Sequence, residues 1–183
     1  MCCLFGIVDY GRTLSMSQKE HILTVLSREC ELRGVDATGI AYNGQEKLHI
    51  YKRPLPAHKM RFHVMPDTNI IMGHTRMTTQ GSELKNRNNH PFRGKTFALA
   101  HNGIIENYLE LKEFLMARGK KFQSETDTEA VANLIEYFYD MGLDFKAAVQ
   151  KAVERVEGSY ALGVLCQDYP DTIIRVKKDS PLI

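Results

Sequence analysis

The chain begins MCCLFG, with a cysteine directly behind the initiator methionine. Removal of Met1 would leave Cys2 with a thiol and a free α-amine on one residue. An α-amine has a pKa of about 7.7–8 and a free thiol one of about 8.5, so the amine can accept the thiol's proton near neutral pH. Cys2 would then be a nucleophile that carries its own base. The simpler interpretation is that Cys2 and Cys3 are small apolar residues at the start of a strand.

Three further stretches carry groups that suit an α-amino acid. In AHNGI, Asn102 and Gly103 supply an amide and a backbone N–H side by side, as a developing oxyanion requires. In GHTRMTTQG, Arg76 follows a predicted buried strand, and its planar guanidinium can grip a carboxylate. In SETDTE, Asp127 lies at a predicted helix start and can hold an ammonium group. The structural alternatives are an Asn-Gly turn, a surface arginine and a helix-start carboxylate.

The apolar patterns predict strands and helices in an order typical of α+β folds. Buried strands are predicted for LFGIVDY, NIIMGHTR and KTFALAHNG, and paired strands for SYALGVLC and DTIIRVKK. A hairpin with its turn at Asn43-Gly44 is predicted in TGIAYNGQEKLHIYKR. Helices are predicted after a capping box at residues 17–20, after Asn107, after Thr126 and from Phe145. This order indicates sheets covered by helices.

Composition excludes several other classes of protein. The 183 residues are 25% charged and 43% hydrophobic, which is normal for one globular domain. The 24 basic and 22 acidic residues form no basic stripe, so we expect no nucleic-acid partner. No apolar run has membrane-spanning length and no secretory signal is present, so we expect no membrane association. Four cysteines without a CxxC pair indicate free thiols in a reducing cytoplasm, and we expect neither a metal site nor a cofactor.

Six segments follow one another along nearly the whole chain: MCCLFG, LRGVDATGIA, GHTRMTTQG, NNHPF, AHNGIIENYLELK and SETDTEAV. In this order the sequence resembles the class II glutamine amidotransferases, which are N-terminal-nucleophile hydrolases. Among their subfamilies it is most similar to the glutaminase domain of glucosamine-6-phosphate synthase. The resemblance implies one glutaminase domain over residues 1–183, folded as a four-layer αββα sandwich.

The resemblance also implies roles for the residues around the nucleophile. It assigns Cys2 as nucleophile and, through its α-amine, as base. The Asn102 side chain and the Gly103 backbone become the oxyanion hole. Arg33 and Gly34, in LRGVD, would support the N-terminal cysteine.

The glutamine pocket follows from the same resemblance. Arg76 would bind the α-carboxylate of glutamine with Thr79 beside it, and Asp127 would bind the α-ammonium group. Met77 and Gln80 lie in the segment that forms a flexible loop over glutamine in relatives.

Three positions depart from the family pattern. Cys3 stands where glycine is usual, Met77 where an aromatic residue is usual, and Gln80 where histidine is common. Cys3 adds a side chain next to the nucleophile, which could crowd the site or make a disulfide-prone pair. Met77 puts lid closure and substrate affinity in question. None of the changes removes a group that does the chemistry.

The leading hypothesis is hydrolysis of the glutamine side-chain amide to glutamate and ammonia through a Cys2 thioester. Ammonia would pass to an acceptor domain or subunit, which would resemble a sugar-phosphate isomerase if the chain is a piece of an aminosugar synthase. One alternative is an amidohydrolase of the same fold that acts on another γ-glutamyl substrate. Another is a non-catalytic glutamine-binding regulatory domain. Oligomerisation is left open.

The chain ends DSPLI, an apolar pair after a turn-like Ser-Pro. Because another strand could begin there, we expect a C-terminally truncated fragment or an unusually short member of a larger family.

Overall fold

The computed structural model describes residues 2–180. The strands are β1 (Cys3–Val8), β2 (Ala37–Gly44), β3 (Lys47–Arg53), β4 (Ile70–Arg76), β5 (Phe92–Arg93), β6 (Phe97–Ile105), β7 (Gly158–Cys166) and β8 (Ile173–Lys178). The α-helices are α1 (Met16–Glu31), α2 (Tyr108–Met116), α3 (Thr128–Asp140) and α4 (Phe145–Val153). The predictions about removal of Met1 and about the strand-like end at residues 181–183 lie outside the described residues.

The strands form two four-stranded antiparallel sheets, ordered β1-β4-β2-β3 and β5-β6-β7-β8. In the first sheet Cys3 lies opposite Thr75, so the beginning of β1 meets the end of β4. In the second sheet Asn102 and Gly103 lie opposite Ala161 and Tyr160. This topology carries the first residues of the chain to the strand end that holds Arg76.

Three apolar clusters separate four layers. One joins α1 to the outer face of the first sheet, through residues that include Leu23, Ile7, Ile40 and Ile71. A second fills the space between the sheets with small and medium side chains, among them Ala41, Met72, Ala98, Ala100 and Leu165. The third packs α2, α3 and α4 on the second sheet, through residues that include Leu111, Val131, Ile135, Phe145, Leu99 and Leu162. The predicted αββα sandwich is confirmed, and within residues 2–180 none of its helices has the length and apolar character to cross a membrane.

The start of α1 differs from the predicted capping box at residues 17–20. Ser15 is the N-cap: its hydroxyl accepts from the Gln18 N–H at 3.2 Å, and Gln18 Oε1 accepts from the Ser15 N–H at 2.8 Å. The Glu20 carboxylate instead accepts from the Val64 N–H at 3.2 Å. The prediction was two residues late because a tertiary contact takes Glu20 away from the helix end.

The predicted hairpin is confirmed, but its turn is not at Asn43-Gly44. Those two residues belong to β2, and Gln45 and Glu46 form the turn with φ of 51° and 60°. The Asn43 amide donates to the Cys166 carbonyl at 3.0 Å and so ties the two sheets together. The Gln45 N–H donates to Asp67 Oδ2 at 2.7 Å. These contacts move the turn two residues along the chain.

We expect Glu46→Gly to stabilise the protein by about 0.5–1 kcal/mol, because glycine adopts a positive φ without the steric cost of a side chain. Urea denaturation would measure the change. The matched control is Lys47→Gly, which places glycine in extended backbone of the adjoining strand and should lower stability. Equal losses for both variants would contradict this explanation of the turn.

Candidate active site

Cys2 lies at the edge where β1 begins and β4 ends. Its Sγ accepts a hydrogen bond from the Met77 N–H at 3.3 Å and lies 3.5 Å from the Met77 carbonyl oxygen. Burial raises the pKa of the Cys2 thiol, and the Met77 N–H and the Arg76 charge oppose this only in part. Such a thiol is largely protonated at neutral pH, so it needs a base to become a nucleophile.

Gly34 packs against the backbone that contacts Cys2. A Cβ at this position would lie 2.5 Å from the Arg76 carbonyl carbon and 2.9 Å from the Met77 nitrogen, so only glycine fits. The neighbouring Asp36 accepts from the Thr78 N–H at 2.7 Å and donates its own N–H to the Arg76 carbonyl. The turn after α1 thus holds the backbone of residues 76–78.

Arg33 precedes Gly34 in this turn. Its charge acts on the thiols of Cys3 and Cys30, and its backbone N–H donates to the Cys30 carbonyl. The structure therefore places Arg33 beside Cys3, the residue that follows the nucleophile.

Asn102 and Gly103 lie near the end of β6, on the neighbouring sheet. His74 Nε2 is 3.0 Å from Asn102 Oδ1 and 3.1 Å from the His101 carbonyl oxygen. Burial lowers the pKa of His74 to about 3, so its imidazole is neutral and its one N–H is on Nε2. Because Oδ1 accepts this bond, the Asn102 Nδ2 donor faces the opposite side.

Gly103 has an exposed backbone with φ of 124°. A Cβ there would lie 2.0 Å from the Ser159 carbonyl oxygen. Any side chain would push β6 away from β7 and displace the N–H assigned to the oxyanion hole.

Arg76 is 3% exposed, not the surface arginine of the alternative interpretation. Its guanidinium donates to Asn89 Oδ1 at 2.7 Å and to the carbonyls of Gln80 and Gly81 at 2.6 and 3.1 Å. These bonds use three of the five N–H donors of an arginine. The Arg76 guanidinium is thus held in place, and its remaining N–H groups can donate to a carboxylate.

Gln80 connects the two predicted clamps. Its carbonyl accepts from Arg76, and its Oε1 accepts from the Asp127 N–H at 3.1 Å. Asp127 is the N-cap of α3, where it takes the place predicted for Thr126. One carboxylate oxygen of Asp127 accepts from the Ile105 N–H at 2.8 Å, and the other is 3.4 Å from the Thr128 hydroxyl. The second oxygen also lies 4.0 Å from His101 Nδ1.

The predicted residues are brought together by the end of β4 and the loop after it. Cys2 contacts Met77, Arg76 and Asp127 are joined through Gln80, and β4 reaches Asn102 through His74. Thr79 is exposed in the same loop, and no side-chain contact joins it to the other site residues in the described part of the chain. Met77 is 42% exposed above the Cys2 thiol.

Three residues that support the site were given no role in it from the sequence. His74 orients Asn102, Asn89 holds Arg76, and Asp36 holds the loop after Arg76. Each lies inside a motif already noted, GHTRMTTQG, NNHPF or LRGVD, so the motifs located them without revealing their partners.

The Cys3 side chain, which could crowd the site or make a disulfide-prone pair, forms a close pair with another thiol. Its sulfur lies 2.8 Å from that of Cys30 on α1, and both residues are free thiols. Cys3 therefore pairs with the helix and not with Cys2.

Comparisons with known proteins identify the family of the chain. A family model described as a glutamine amidotransferase domain matches residues 74–176, and the chain belongs to this family. It is 44% identical over 183 residues to glutamine–fructose-6-phosphate aminotransferase (isomerizing) from Caldanaerobacter subterraneus, and 41% identical to that of Clostridium acetobutylicum. Each alignment covers 97% of this chain and 29% of the relative, so the chain spans less than a third of either protein.

A solved structure supports the fold. The glutamine phosphoribosylpyrophosphate amidotransferase of B. subtilis superposes with a TM-score of 0.71 and 24% identity. The match covers 91% of this chain and 35% of that one. This similarity supports the four-layer fold described above.

Three buried histidines around the site predict acid sensitivity. Burial lowers the pKa of His74 to about 3 and that of His90 well below its ordinary value. Burial also lowers the pKa of His101, although the Asp127 charge opposes this shift. The unfolded chain binds these protons below about pH 6.5 while the folded chain does not, so stability falls as pH falls. We expect a loss of about 2 kcal/mol per fully neutral histidine between pH 7 and 5.

Urea denaturation at pH 7, 6 and 5 measures this loss. His74→Gln keeps an N–H donor for Asn102 and should reduce the slope by the contribution of one histidine. The control His21→Asn, at an exposed helix position, should leave the slope unchanged. A free energy of unfolding that does not change between pH 7 and 5 would contradict the prediction.

Proposed function

We propose that the chain hydrolyses the side-chain amide of L-glutamine to glutamate and ammonia through a γ-glutamyl thioester on Cys2. The observation that carries the proposal is the position of the Cys2 thiol against the Met77 backbone, beside Arg76 and at the strand end that reaches Asn102 through His74. Membership of the glutamine amidotransferase family supports it.

The first half of the reaction forms the thioester. The α-amine of Cys2, freed by removal of Met1, accepts the thiol proton, and the sulfur attacks the amide carbon. The carbonyl oxygen becomes an oxyanion, which the Asn102 amide and the Gly103 N–H stabilise. The amine then returns the proton to the leaving nitrogen, and ammonia departs.

The second half regenerates the enzyme. The same amine takes a proton from water, which attacks the thioester carbon through the same oxyanion site. The carbon–sulfur bond breaks, glutamate leaves, and the sulfur recovers its proton from the amine.

Substrate binding uses the two clamps joined by Gln80. Arg76 holds the α-carboxylate of glutamine and Asp127 the α-ammonium group, with Thr79 beside the carboxylate. The buried guanidinium and the second Asp127 oxygen support this assignment. The exposed Met77 and the loop that follows it cover the bound substrate.

The ammonia passes to an acceptor. The chain spans 29% of the isomerizing aminotransferases that it resembles, so we propose a sugar-phosphate isomerase-like domain or partner subunit as the recipient. Residues 1–183 act as one glutaminase domain. Four cysteines that are free thiols support a cytoplasmic setting.

Glutamate production by the purified chain tests the proposal. Cys2→Ala should reduce turnover at least a thousandfold, an order of magnitude expected for loss of a nucleophile. The control is Cys166→Ala, which removes a buried thiol opposite Phe97, five residues along β6 from Asn102. Mass spectrometry must first show that Met1 is absent. Turnover that persists without Cys2 would overturn the mechanism, and glutamine binding without turnover would favour the regulatory alternative.

Asp127→Asn should raise KM for glutamine about tenfold or more while kcat changes little, because a charge-assisted hydrogen bond contributes about 1.5–3 kcal/mol. Asparagine keeps an oxygen for the Ile105 N–H, so the helix start is preserved. Glu113→Gln, at an exposed position of α2, is the matched control and should leave KM unchanged. The enzyme should also reject N-acetylglutamine, which has no α-ammonium group. Equal turnover of both amides would support the alternative of another γ-glutamyl substrate.

A further inference from the structure

Two thiols meet beside the nucleophile without taking part in the reaction above. Cys3 opens β1, Cys30 lies in the last turn of α1, and their sulfur atoms are 2.8 Å apart. A bonded pair of sulfur atoms is separated by about 2.05 Å, so the two need to approach by less than 1 Å. Both residues are half-buried, which leaves them within reach of a small solute.

The backbone around the two thiols is well held. Cys3 pairs with Thr75 across the β1–β4 ladder, and the Thr75 hydroxyl donates to the Cys30 carbonyl at 2.9 Å. The Arg33 N–H donates to the same carbonyl at 3.0 Å. The two sulfur atoms are therefore kept together by the framework.

The pKa values of the two thiols are shifted in opposite directions. The side-chain hydrogen bond shared with Cys30 lowers the pKa of Cys3 to about 7 and the Arg33 charge adds to this, while burial opposes it. The bond to Cys3 and burial raise the pKa of Cys30, as does the nearby Glu29. Arg33 lowers the pKa of both thiols and Glu29 opposes this at Cys30, so the surrounding charges favour the thiolate at Cys3.

We propose that Cys3 and Cys30 are a reversible oxidation site, which a peroxide converts to a disulfide while Cys2 stays reduced. The Cys3 thiolate attacks one oxygen of hydrogen peroxide, the O–O bond breaks, and the hydroxide released takes a proton to leave as water. The Cys30 sulfur gives up its proton and attacks the Cys3 sulfenic acid, and the hydroxyl leaves as a second water. Two thiols have lost two electrons and two protons, and peroxide has become two waters.

Cys2 differs from the pair in its surroundings, because its Sγ contacts the Met77 backbone while the sulfur atoms of Cys3 and Cys30 face each other. Burial raises the pKa of Cys2, in contrast to Cys3. Because the thiolate is the species that peroxide oxidises, the pair reacts first. The catalytic end of β1 therefore has a neighbouring thiol pair that consumes the oxidant and is restored by a dithiol.

Disulfide mapping on the full chain tests this site. The protein is treated with one equivalent of hydrogen peroxide at pH 7.5, alkylated and digested with trypsin. The peptide ECELR, which contains Cys30, should be found linked to the N-terminal peptide that ends at Arg12, with Cys2 alkylated. Dithiothreitol should release the two peptides.

Variants identify the partners. Cys3→Ser and Cys30→Ser should each abolish the link, and Cys2→Ala and Cys166→Ala should each retain it. A link that survives in Cys3→Ser would show that Cys2 is the partner and overturn the proposal. Absence of the link in the unmodified chain would also overturn the proposal. Oxidation of Cys3 to sulfinic acid in place of the disulfide would do the same.

The rate of disulfide formation gives a second measurement. It should rise about tenfold from pH 6 to pH 8, since the thiolate fraction of a cysteine with a pKa near 7 grows by that factor. A thiol with an ordinary pKa would give a rise of about eightyfold, which would contradict the assignment of Cys3 as the attacking thiolate. None of these measurements requires glutamine turnover, so they stand apart from the proposed glutaminase activity.

Discussion

Antiparallel hydrogen bonding between β1 and β4 sets Cys3 opposite Thr75 and brings Cys2 and Met77 to one edge of the first sheet. Cys2 precedes the first strand, and its Sγ accepts a hydrogen bond from the Met77 N–H. The strand end that receives it is rigid by comparison, because β4 pairs with β2 on its other side and Arg76 is anchored to Asn89. The end of β4 thus sets the position of Cys2.

The same strand carries both halves of the site. His74 is buried between the sheets and reaches Asn102, while Arg76, two residues later, turns towards the loop that leads to Gln80 and Asp127. Residues two apart on a strand lie on the same face, which is why one strand can contact both Asn102 and the loop that carries Gln80. A disturbance at this strand end would therefore affect several functions at once.

Much of the architecture could be predicted from the sequence, because apolar runs and turn residues are local signals. The sequence predicts every strand and α-helix of residues 2–180 in order except β5, and the resemblance predicts the sandwich. The errors arose where a polar side chain bonds to a distant part of the chain. Glu20 contacts Val64 and not its own helix end, and Asn43 bridges the sheets while Gln45 and Glu46 make the turn.

For the site, the sequence by itself determined the chemical types: a cysteine that processing would leave at the N-terminus, an Asn-Gly pair, an arginine and an aspartate in recognisable motifs. Only the tertiary structure decided how they cooperate. In the folded chain Cys3 contacts Cys30, and His74 bonds to Asn102. Gln80 connects Arg76 with Asp127. The physical reason is that these contacts connect residues far apart in the chain, and packing of the four layers alone selects which of them meet.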